Sequence, residues 1–251
     1  MSLTVRLIGL FAVLLPLVAV GWLILELASA ASGTPEVRAA IGEAFRGSLI
    51  LSAMATTIGA PLGIIAATYL AEWPRNPLRA VMDTSLMHLA GVPSIIYGVF
   101  GAMIFSGLGM RRLSLALTLA FIVLPVAAST TRDTLRRVPA RVRRASIALG
   151  ATRWAMLGRV VLPMALPGLI AALLLSLARA LAETTSLVAM GIIDPQGQLT
   201  IPVLGPYAFR ALVLDGAPGP AALALLCLFA PMAILHLAAA IADSRLPREN
   251  P

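Results

Sequence analysis

The sequence predicts an all-α integral membrane protein with six transmembrane helices. Three observations predict it. Of the 251 residues, 59% are hydrophobic and only 12% are charged, and the mean hydropathy of +0.94 lies well outside the range of soluble domains. Apolar runs at 7–28, 48–71, 86–108, 113–131, 161–190 and 220–242 are each long enough to cross roughly 30 Å of hydrocarbon as a helix. The formal charge of +8 comes from 19 basic residues, all arginine, which collect in the gaps between runs. That placement describes topology rather than a nucleic-acid surface, and no nucleic-acid partner is expected.

The first run begins after Arg6 and ends near Ala28-Ser-Ala30. Its apolar core of about twenty residues exceeds a signal-peptide core, so it reads as a retained helix. Residues 29–47 read as a short polar extracytoplasmic connector, making 1–47 the N-terminal segment, 48–242 the transmembrane domain and 243–251 a cytosolic tail. The second run closes at Glu72-Trp73-Pro74, where Trp73 reads as an interfacial anchor. Within the third run, Gly91-Val-Pro-Ser-Ile-Ile-Tyr-Gly98 breaks its helix with proline. Backbone freed there must face a cavity or be packed closely, and both readings stay open. Ser94 and Tyr97 are candidates for lining such a cavity. His88 and His236 each stand alone on apolar helices, so they read as packing residues and no metal site is expected.

Six spans put both termini on one side. Thirteen arginines fall in the segments on that side, against five on the other, with Arg179 inside the membrane. Both termini are therefore expected in the cytoplasm, together with the long 132–163 loop. The opposite 191–219 segment is rich in Gly and Pro, favouring turns over helix, and reads as a connector or a docking surface.

The 132–163 loop is patterned. Ala145, Ala148 or Leu149, Thr152 and Met156 recur at helical spacing, with Arg143, Arg144 and Arg153 between them. A short amphipathic helix of this kind rests one face on a partner while its arginines sit near lipid headgroups. Gly150 permits a turn between two helical pieces, and Pro163 suits the first turn of the next transmembrane helix.

Gly150, nine intervening residues, Val160 and then Leu162-Pro163 resemble the EAA-type loop of bacterial ABC-importer permeases. Pro61–Glu72, Gly91–Gly98, Leu135-Arg-Arg-Val-Pro139 and Ala178-Arg-Ala-Leu-Ala-Glu-Thr184 resemble, in the same order, the PstA-type phosphate permeases over about residues 48–190. The resemblance implies a MetI-like bundle in the bacterial cytoplasmic (inner) membrane. It implies a coupling helix that docks on an ATPase through Arg144, Ala145, Ser146, Leu149, Gly150, Ala151, Leu162 and Pro163. It also implies import of inorganic phosphate together with a homologous PstC-type permease, a PstB-type ATPase dimer and an extracytoplasmic PstS-type binding protein. The chain carries no Gly-x-x-x-x-Gly-Lys-Ser/Thr sequence, so ATP and its magnesium are expected on the partner and no cofactor on this chain. Two departures stand out. Arg144 replaces the family's acidic first position, and Ala182-Glu-Thr-Thr-Ser186 replaces the usual Gly-Glu-Thr-Ala-Pro. The second leaves another oxyanion (sulfate, molybdate or phosphonate) as an alternative. An intramembrane hydrolase, the remaining alternative, needs a nucleophile and base in register, which neither histidine supplies.

Arg179 and Glu183 are four residues apart in the fifth run, hence on one face of a continuous helix. An ionised group at mid-bilayer costs at least about 2.5–3.5 kcal/mol, so such residues normally face a bundle interior or an aqueous path. A mutual ion pair that ties helices together is the structural alternative. For a phosphate ion, the planar arginine fork matches two oxygens. Glu183 then either accepts a hydrogen bond from protonated phosphate or occupies Arg179 when the path is closed. Thr184, Thr185 and Ser186 add neutral donors.

Overall fold

A computed structural model of the chain describes residues 34–73 and 77–245, together with Gly21. Apart from that glycine, the expected first span at 7–28 lies outside the described residues. Helices α1 (Pro35–Glu72), α2 (Pro77–Gly91), α3 (Ser94–Phe105), α4 (Arg111–Arg137) and α5 (Ala140–Ala148) are followed by α6 (Arg153–Leu181). Then come α7 (Thr185–Ala189), α8 (Leu204–Leu214) and α9 (Pro218–Ser244). Among the described residues, four helices are long and apolar enough to cross a membrane, or five if the bent pair α2–α3 is one span. These five correspond to the expected runs at 48–71, 86–108, 113–131, 161–190 and 220–242, and the sixth expected span, at 7–28, lies outside the described residues.

Two boundaries differ from expectation. The polar connector read at 29–47 is helical from Pro35 onward, so α1 runs for 38 residues, about 57 Å. Thr34 accepts backbone bonds from Val37 and Arg38, and Pro35 occupies the first turn, where its missing N–H costs nothing. The 86–108 run is broken where its proline predicts, and its axis turns by 106° between Gly91 and Ser94. Pro93 disfavours helical backbone at Val92 and removes a donor. The 161–190 run is helical from Arg153 and stops at Leu181, and α7 follows as a separate short helix.

The described residues form two compact units, 34–47 with 193–230 and 48–192 with 231–245. In the larger unit α4 is the central post, packing against α2, α3 and α6. Leu115, Leu119, Val123 and Ala127 are fully buried along it. Small residues allow this approach. Cβ atoms at Gly59 and Gly63 of α1 would lie 2.4 and 2.5 Å from the carbonyl oxygens of Ala120 and Leu124. Many large apolar side chains of α3, including Met103, Ile104 and Phe100, are exposed, as suits a surface met by lipid or another membrane chain.

In the smaller unit, Asp194 accepts through Oδ1 from the backbone N–H groups of Gln196 and Gln198. Ile193 and Leu199 pair across that turn. The turn expected at Asp194-Pro195-Gln-Gly197 is thus present. Residues 204–214, read as irregular, are instead helical, with Leu204 and Ala208 buried. Burying one face of that segment outweighs its two flanking proline-rich stretches.

Candidate functional site

The sequence-predicted residues fall into two groups, one inside the bundle and one on the arginine-rich loop. The inner group forms around the break between α2 and α3. Proline at 93 ends α2, and Ser94 opens α3. Tyr97 Oη donates to the carbonyl of Leu89 at 2.6 Å, taking up an acceptor at the end of α2. Gly98 lets α3 lie directly on α7, since a Cβ there would stand 2.4 Å from the Ser186 carbonyl oxygen. Both readings of the glycine-framed segment therefore hold: it is broken beside a cavity and packed closely on its far side.

The cavity beside the break has a volume of about 110 Å³ and is lined by Ser94, Tyr97, Pro125, Ser129 and Arg179, with Leu89 and Val92 among the others. Three residues singled out from sequence, Ser94, Tyr97 and Arg179, thus share one wall. Glu183 and Thr184 do not line it. Glu183 lies beyond the end of α6 rather than on a continuous helix with Arg179. The two still form an ion pair, with Arg179 40% exposed and Glu183 only 3% exposed. Ser186, fully buried, donates to Glu183 Oε2 at 3.1 Å. A carboxylate this deeply buried needs both partners. Thr184 precedes α7 without capping it through its side chain, and Thr185 is exposed.

On the loop, α5 closes with a Schellman arrangement. Gly150 has φ +84, its N–H reaches the Ile147 carbonyl, and the Ala151 N–H reaches that of Ser146. Thr152 then caps α6, its Oγ1 accepting from the Ala155 N–H at 3.2 Å. The helix and the glycine turn are as expected, whereas Thr152, read as a position on a helical face, is instead the extended N-cap residue between two helices. Arg144, Ala145, Leu149 and Gly150 are exposed, with Leu149 at 89%, whereas Ser146 and Ala151 are half-buried.

Leu162 and Pro163 correct the reading of a re-entry point. They sit inside α6, directly after a π-helical turn over Leu157–Val161. The Leu162 N–H bonds to the Leu157 carbonyl, one residue further back than in an α-helix. The wider turn reaches Pro163, which has no N–H to offer, without ending the helix. Leu162 packs against the cluster of Leu135, Val138, Met156, Leu157 and Val161.

Arg143 also differs from expectation: it is a brace and not a headgroup anchor. Its guanidinium donates to both carboxylate oxygens of Glu72 at 2.8–3.2 Å. It also donates to the Leu135 carbonyl at 2.7 Å and to that of Val138. Trp73, read as an interfacial anchor, stacks on Tyr69 and meets Trp154 edge-on at 4.8 Å. Neither Glu72 nor Trp154 was singled out from sequence as a loop partner. The only local signal was a carboxylate and an indole placed where a transmembrane helix ends. His88 and His236 are exposed rather than packed, and His236 Nδ1 lies 2.8 Å from the Met232 carbonyl.

Residues 59–248 match the family described as binding-protein-dependent transport system inner membrane component. The phosphate transport system permease protein PstA 1 of Mycobacterium tuberculosis is 35% identical over 153 residues, covering 59% of this chain and 49% of that protein. PstA of Xylella fastidiosa is 36% identical over 167 residues, 65% of this chain and 58% of the relative. The matched region spans about half the length of these curated relatives. Among solved structures, an inward-facing MetNI methionine ABC transporter chain superposes with a TM-score of 0.71 at 19% identity, covering 86% of this chain and all of that one. A chain of a bacterial alginate ABC transporter gives 0.65 at 16% identity over 96% and 97%. These two likenesses concern the fold.

Proposed function

We propose that this chain, which belongs to the family of binding-protein-dependent transport system inner membrane components, is the phosphate-conducting permease of an ABC importer. The observation that carries the reading is Arg179: a guanidinium lining a cavity beside a broken helix, next to Ser94 and Tyr97. Similarity to PstA proteins from two genera supports phosphate as the cargo. ATP hydrolysis belongs to a separate PstB-type dimer, a PstC-type permease supplies the other half of the path, and a PstS-type protein delivers the anion from outside.

In the resting state Glu183 neutralises Arg179. The carboxylate lies outside the cavity wall, which favours its role as the group that occupies the arginine over direct selection of protonated phosphate. An arriving oxyanion competes for the fork, and Ser94 supplies a neutral donor. Tyr97 commits its proton to Leu89, so it holds the break in shape. On the cytosolic side, Arg144, Ala145, Leu149 and Gly150 present the docking surface to the ATPase. Movement of α5 passes to α1 through Arg143 and Glu72, tilting helices around the path. Both termini lie in the cytoplasm.

A second reading, transport of a different oxyanion, is favoured by Ala182 and Ser186 in place of glycine and proline. Reconstitution with the three partners tests both. The expected outcome is ATPase stimulation by binding protein loaded with phosphate. Stimulation by sulfate- or molybdate-loaded protein, with none by phosphate, reassigns the cargo.

A further inference from the structure

Pro125, Ser129, Arg132 and Arg136 are spaced by four, three and four residues on α4, and so they share one helical face. Three cavities lie along that face. The first, about 110 Å³, holds Arg179, Ser94 and Tyr97 and ends at Pro125 and Ser129. The second, about 260 Å³, begins at the same Pro125 and Ser129 and adds Asp83, Arg132, Asp133 and Arg136. The third, about 520 Å³, shares Arg132 and Arg136 with the second and adds Arg79, Arg143, Arg153 and Glu72. Each cavity hands its lining residues to the next, and each is larger than the one before.

Charge rises from the second cavity to the third. Two arginines face two aspartates in the second cavity, whereas five arginines face one glutamate in the third. An anion passing from the second cavity to the third therefore meets more positive surroundings. Arg132 and Arg136 stand about 6 Å apart along the helix axis, a distance that one tetrahedral oxyanion bridges between two guanidinium forks.

Arg132 pairs with Asp83 of α2, with side-chain exposures of 30% and 37%. Such half-exposed pairs are weakly held compared with buried ones. Arg136 has no partner of this kind among the described residues.

We propose that this face of α4 is the chain's own contribution to the cytosolic half of the oxyanion route, with Arg132 and Arg136 as successive stations and Asp83 as the resting occupant of Arg132. The proposal rests on the reading of the chain as an oxyanion permease. In it, the anion exchanges with Asp83 on Arg132, passes to Arg136, and enters the arginine-lined basin before release. No covalent step is involved.

The test uses the complete importer in proteoliposomes, with labelled phosphate uptake and ATP hydrolysis measured together. Arg136→Gln is expected to lower the maximal uptake rate at least fivefold. The phosphate concentration for half-maximal uptake stays unchanged, and ATPase stimulation by loaded binding protein stays within twofold of wild type. The exchange Arg132→Asp with Asp83→Arg keeps an ion pair between α2 and α4 but moves the cation off the α4 face, and is expected to leave uptake equally low. Wild-type uptake by Arg136→Gln, or recovery of uptake by the exchanged pair, overturns the route and leaves the permease reading standing. Failure of the wild-type importer to move phosphate overturns the permease reading for phosphate and this proposal with it.

Discussion

Two arginine–glutamate pairs divide the larger unit, and they are built differently. In Arg143–Glu72 both members are sequestered, at 21% and 6% exposure, and the guanidinium also serves two backbone carbonyls. In Arg179–Glu183 the glutamate is equally buried but the arginine is 40% exposed and faces a cavity. The first pair commits every nitrogen of its guanidinium and ties the loop to the end of α1. The second keeps part of its fork available. An arginine satisfied on every side is structural, and one satisfied on one side is poised to bind.

That contrast breaks most visibly at the brace. Arg143→Ala strands a buried carboxylate, and a loss of about 3–5 kcal/mol is expected, read as a lower thermal unfolding midpoint of the purified protein in detergent. An unchanged midpoint removes the distinction. At the cavity, Gly98→Ala forces α3 away from Ser186 and is expected to cost roughly 1–3 kcal/mol. Uptake should fall while the brace, assayed by ATPase binding, stays intact.

Gly150→Ala lies close to the brace but touches neither pair. It places a Cβ at φ +84, with an expected cost of about 1–2 kcal/mol and weakened ATPase stimulation. Smallest in stability is Leu149→Asp, on a side chain 89% exposed, where folding should change by no more than about 0.5 kcal/mol. Its effect should appear in co-purification with the ATPase, and unimpaired co-purification removes Leu149 from the docking surface.

Features carried by local chemistry were legible in the sequence. Pro93 signals the break, Gly150 signals the turn, and an arginine inside an apolar run signals a cavity. Features that depend on distant residues were not. Glu72 and Arg143 are 71 residues apart, and nothing in an arginine-dense segment marks which arginine turns inward. The start of α6 was misplaced because proline usually opens a helix. Here a π turn absorbs the missing donor and lets the helix begin at Arg153. The 106° bend was out of reach for a related reason: proline predicts a break, but neighbouring packing sets its angle. In the inner site, Arg179, Ser94 and Tyr97 come together as their residue types suggested. Glu183 sits off the helix, because α6 ends two residues before it.

The central claim is that Arg179 binds the transported anion and is not merely Glu183's counterion. The most direct measurement is phosphate uptake by the reconstituted importer carrying Arg179→Gln together with Glu183→Gln, which removes the buried charge along with its partner. The account predicts an importer that assembles and docks its ATPase normally but takes up phosphate at least tenfold more slowly. Uptake at the wild-type rate would contradict it.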